Sequence, residues 1–68
     1  MVNTCALKSK IIENNMTIQS LAPQIGISPY TLGKKISNKV DMGLNEALKI
    51  KEILKIRDEE INKYFFAS

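Results

Sequence analysis

The sequence predicts an all-α fold, a compact five-helix domain, and three observations carry that expectation. Apolar residues recur every three or four positions along the chain, the spacing that gathers them on one face of a helix. β-branched residues never alternate cleanly with polar ones, so no strand pattern competes. Residues with capping chemistry stand at the joints between apolar stripes, and no linker, repeat or low-complexity stretch divides the 68 residues.

The first helix rests on Leu7 and Ile11, one turn apart, and ends near Asn14 and Asn15 with Met16 just beyond. Thr17 is a good N-cap for the second, whose Ile18, Leu21, Ala22 and Ile25 follow at i, i+3, i+4 and i+7. Gly26 then stands where a helix closes in the left-handed conformation. Pro23 complicates this helix, because an interior proline costs about 3 kcal/mol. Two readings follow: a kink at Pro23, or a later start with Ser20 as the cap and with Thr17 and Gln19 left in the preceding loop.

Ser28 followed by Pro29 is the clearest start signal, a capping hydroxyl and then a residue that needs no amide partner. Ile27 can staple onto Leu32, Ile36 lies a turn further on the same face, and Asn38 is a terminator, so the third helix spans roughly 29 to 37. Met42, Gly43 and Glu46 supply a staple, a cap and an N3 carboxylate for a fourth helix with Ala47, Ile50 and Leu54 buried and Ile56 tucked beneath. Asp58, Glu59 and Glu60 put negative charge at the positive end of a last helix that presents Ile61, Tyr64 and Phe65 at i, i+3 and i+4. Leu48, Ile53, Phe65 and Phe66 exceed what one small core needs, which points to a subunit contact and a homodimer.

Composition excludes most chemistry. A domain of this size buries only about 60% of its unfolded surface, leaving no room for a deep cleft beside a core. No histidine is present, so Ser-His and Cys-His nucleophile pairs are impossible. Cys5 is the single cysteine; with no basic neighbour it reads as a small apolar residue, and neither a disulfide within the chain nor a Cys/His metal site can form. Asp58, Glu59 and Glu60 fan around a helix end and do not converge. The chain is therefore expected to be no enzyme, with no cofactor, metal or small-molecule substrate. No apolar run reaches the roughly 18 residues of a membrane span, and no signal core follows the N-terminus, so a cytoplasmic protein with no membrane partner is expected.

The net charge of +3 is modest but uneven. Up to residue 40, Lys8, Lys10, Lys34, Lys35 and Lys39 face Glu13 alone, whereas beyond it five basic and six acidic side chains nearly cancel. Within this basic half, residues 26 to 28 join the second and third helices by so short a turn that they must cross steeply, a helix-turn-helix arrangement in which the later helix enters the major groove of DNA.

The residues themselves extend this. Thr17, Leu21, Ala22, Ile25, Gly26, Ile27, Ser28, Leu32 and Ile36, in register, resemble the phage Cro and repressor family. The stretch from Leu7 to Asn38, then Glu46, Ala47, Ile50, Leu54, Ile56 and Ile61, resembles its whole lambda-repressor-like domain. The ending Tyr64, Phe65, Phe66 is similar to that of short Cro-like proteins from prophages of Gram-positive bacteria. The resemblance implies a repressor acting in a bacterial cytoplasm, binding a double-stranded DNA operator as a dimer and occluding a promoter.

At 100° per residue Leu32 and Ile36 face inward, with Tyr30, Lys34 and Ser37 opposite and Thr31 and Gly33 at the flanks. Lys34 can donate to guanine O6 and N7, and Tyr30 can pack on a thymine methyl, so Tyr30, Thr31, Gly33, Lys34 and Ser37 are the expected base-reading set. Gly33 costs about 1 kcal/mol of helix propensity relative to alanine; it marks either close approach to DNA or a tolerated glycine. Thr17, Gln19, Ser28, Pro29, Lys35, Asn38 and Lys39 are the expected phosphate contacts. The third helix offers no Arg, Gln or Asn before Asn38. That leaves open a protein-interaction module, such as an antirepressor or antitoxin-like partner, and a DNA-architectural or excision factor.

Overall fold

Side chains with cap chemistry open the first three helices, and four helices close on a residue in the left-handed region. A computed structural model describes residues 1–66. It contains α1 (Thr4–Glu13), α2 (Ile18–Ile25), α3 (Pro29–Ile36), α4 (Leu44–Leu54), a 3-10 turn (Asp58–Glu60) and α5 (Ile61–Phe65). The described residues include no strand, so the all-α expectation holds. None of the helices is long and apolar enough to cross a membrane.

Asn3 Oδ1 accepts the Ala6 amide at 3.1 Å to open α1. At α2 the Thr17 hydroxyl accepts from the Ser20 amide at 3.1 Å while Ser20 Oγ accepts from the Thr17 amide at 2.9 Å. This reciprocal pair fixes the start of α2 at Ile18 and removes the later start at Ser20; the helix runs through Pro23. Ser28 Oγ accepts from the Thr31 amide at 3.1 Å, with Pro29 in the first helical position of α3. Gly43 has no side chain to cap with, and Glu46 instead reaches back to accept its amide at 2.8 Å.

The closures share one geometry. Asn15, Gly26, Asn38 and Lys55 have φ of 57°, 82°, 65° and 58°. In each case the next amide reaches back five residues: Met16 to Ile11, Ile27 to Ala22, Lys39 to Lys34 and Ile56 to Lys51, at 2.9 to 3.2 Å. The chain is thereby returned onto the core four times. Only Gly26 escapes the Cβ penalty of this conformation. Residues 26–28 form the tight joint between α2 and α3, which pack directly on one another.

Among the described residues fourteen apolar side chains form the core, including Leu7, Leu21, Leu32, Ile36, Ile50 and Leu54 with essentially no exposure. Each such side chain contributes about 1.5–3 kcal/mol by leaving water. The inward positions expected for α3 and α4 are buried, as are Leu21, Ala22 and Ile25 of α2, whereas Ile18, expected inward with them, is only half-buried.

Several details differ from the sequence reading. The last helix is split: Asp58, Glu59 and Glu60 form the 3-10 turn, and α5 begins at Ile61. α3 ends one residue earlier than expected, with Ser37 as its cap. Cys5, read as a small apolar residue, is exposed on α1. Phe65 belongs to the core and Ile53 packs against it, so of the surplus apolar residues only Leu48 (44% exposed) and Phe66 (57%) remain outside. Val2 is also buried, because the N-terminal segment is stitched down: Asn3 donates its amide to the Tyr64 carbonyl at 2.9 Å.

Candidate nucleic-acid interface

Ser28, Pro29 and the capped first turn of α3 fix the direction in which that helix leaves the turn, and the buried pair Leu32 and Ile36 fixes its rotation. Tyr30, 73% exposed, and Lys34 are thereby left on the outer face. The Lys34 ammonium sits over the Tyr30 ring, 4.8 Å from its centroid, an attraction of about 0.5–1 kcal/mol at an exposed site. It holds a flexible cation in one region without removing its charge or its donors.

A concavity of about 580 Å³ opens where the outer face of α3 meets the start of α2. Ile18, Gln19, Pro29, Tyr30, Gly33, Lys34, Ser37 and Lys39 line it, with two cations and no acidic residue. Four expected base readers and three expected phosphate contacts therefore share one surface. Ile18, read only as a core residue, is the addition; it is half-buried and its remaining surface faces this concavity. Ser37 Oγ donates to the Gly33 carbonyl at 2.9 Å, which keeps its hydroxyl against the helix.

The other expected residues have internal partners. Thr17 and Ser28 are helix caps, and the Thr31 hydroxyl accepts from Ser28 Oγ at 2.9 Å. Lys35, expected at phosphate, instead places its ammonium against both Glu46 oxygens, at 2.6 and 2.8 Å, with side-chain exposures of only 15% and 21%. That contact, followed by the Gly43 amide, holds the Glu46 carboxyl below its ordinary pKa. Asn38, also expected at phosphate, pairs with the Val2 backbone: Oδ1 accepts its amide and Nδ2 donates to its carbonyl, both at 2.9 Å. Alongside, Thr4 Oγ1 donates to the Ile36 carbonyl at 2.6 Å. The N-terminal segment and α4 thus brace α3 from its inner side. Residue spacing gave no signal for these braces, since Lys35 and Asn38 find partners 11 and 36 positions away.

Among the described residues no three His, Cys, Asp or Glu side chains gather as a metal site would require. The fold and this surface define a small all-α domain presenting a braced, cationic helix face. The chain belongs to the family described as Protein of unknown function (DUF739), which it matches over residues 3–68. No curated protein matches it.

Proposed function

We propose that this chain is a sequence-specific double-stranded DNA-binding regulator, a Cro-type repressor that occludes a promoter in the cytoplasm of a bacterial host. In this reading α2 and α3 form a helix-turn-helix, with α3 in the major groove and α2 across the phosphate backbone. The observation that carries it is the concavity: Gln19, Pro29, Tyr30, Gly33, Lys34, Ser37 and Lys39 come from two helices and the segment after them, yet share one exposed surface with no acidic residue lining it. Lys34 and Lys39 are donors only, suited to guanine edges and phosphate oxygens. The first-turn amides of α2, next to Gln19, add the partial positive charge of a helix N-terminus.

One such domain reads only a few base pairs, so the repressor acts as a homodimer on paired half-sites. Exposed Leu44 and Leu48 on α4 and Phe66 after α5 supply apolar surface for the subunit contact. Random-site selection with purified protein tests the reading. A palindromic consensus, bound with affinity that falls steeply with salt, supports it. Direct repeats bound side by side would favour an architectural factor, and no enrichment over random duplex would leave a protein-interaction module.

A further inference from the structure

We propose that the concavity over Gly33 is a thymine site, taking the C5-methyl group of a thymine in the major groove and thereby distinguishing it from an unmethylated pyrimidine. The inference rests on the reading of α3 as the groove-entering helix. Gly33 lies mid-helix, where glycine is a poor choice, and the fold gives no reason for it: a Cβ built there meets nothing within 4 Å. Gly33 lines an open concavity together with apolar Ile18 and Pro29, with Tyr30 and with Lys34, and the side chains of Ile18, Pro29 and Tyr30 all stand more than 4 Å from the place its Cβ would take. A thymine edge offers the matching pair of features, a methyl group and the O4 acceptor. Cytosine at the same place offers an amino donor and no methyl, and the Lys34 ammonium, having no lone pair, cannot accept from it.

The test uses the whole chain and the duplex recovered by random-site selection. Each thymine is replaced in turn by deoxyuridine, which removes only the methyl group. At one thymine per half-site the affinity should fall about three- to tenfold, the range for withdrawing one buried methyl. Gly33→Ala puts a Cβ where the thymine methyl would approach the helix: it should lose that discrimination while its Tm stays equal or rises, since alanine is the better helix former. A merely structural glycine would not separate these two readouts. Deoxyuridine tolerated at every position, a selected site without thymine, or full discrimination retained by Gly33→Ala would each overturn the proposal while leaving DNA binding intact. If no duplex is preferred over random DNA, the functional reading fails and the thymine site with it.

Discussion

Lys34 and Lys35 are adjacent in sequence and identical in chemistry, yet they sit in opposite surroundings. Lys34 stands over the Tyr30 ring on the open face of α3, whereas Lys35 is folded against the Glu46 carboxylate on the braced side. One keeps its ammonium on the open face; the other pairs it inside the molecule. A 100° turn of helix separates the two fates, so a count of basic residues overstates the cationic face unless each residue's partner is known. The same division runs along the helix: Tyr30, Gly33 and Ser37 border the concavity, while Ile36 and Asn38 hold the N-terminal segment through backbone and amide contacts.

The largest effect should come from Leu32→Ala, since this fully buried side chain sets the rotation that separates the two sides. A loss of about 2–5 kcal/mol is expected in urea unfolding, enough to collapse both faces together. Exchanging the two lysines' roles is the sharper experiment. Lys34→Ala should keep its stability within about 0.5 kcal/mol yet lose about 1–3 kcal/mol of operator affinity. Lys35→Ala should lose about 1 kcal/mol of stability and little affinity at a temperature where it stays folded. Equal effects of the two substitutions on binding would erase the distinction.

A loss of stability comparable to that of Lys35→Ala, about 1 kcal/mol by thermal unfolding, is expected from Asn38→Ala, because it deletes both contacts to the Val2 backbone. The smallest is pH dependence at Glu46. Its pKa in the folded state lies below the unfolded value of about 4.3, so the stability it adds is complete above that value and is lost as pH falls through the folded one. The gap in urea midpoint between wild type and Glu46→Gln, worth up to about 1 kcal/mol, should therefore be open at pH 7 and narrow steadily as the pH is lowered below the unfolded value. A gap unchanged by acid would detach Lys35 from Glu46 in solution.

Local chemistry was legible in the sequence; distant pairing was not. The caps at Thr17 and Ser28, the left-handed closure at Gly26 and the inward stripes of α2 and α3 all follow from rules acting within a few residues. Asn38 was read as a helix terminator, which its φ of 65° matches, but its side chain's pairing with Val2 depends on how the ends of two distant segments meet. Lys55 in the left-handed region had no glycine or asparagine to announce it. Pro23 left two starts open for α2, and the decision lay in Ser20, whose hydroxyl completes the Thr17 cap and does not replace it. The concavity was legible in part: periodicity set the outward residues of α3, but Ile18 reaches the same surface only because α2 crosses beside it.

The pairing of Asn38 with Val2 makes the segment that precedes α1 part of another helix's scaffolding. Segments that flank a small domain's outer helices commonly open and close at almost no free-energy cost. Here Val2 is buried, both of its backbone groups are held by the residue that closes α3, and Thr4 grips the Ile36 carbonyl two residues earlier. Detachment of the segment around Val2 must therefore loosen the end of α3 in the same event. The two segments form one cooperative unit, and the Val2 amide should exchange with solvent deuterium in step with the amides of the last turn of α3.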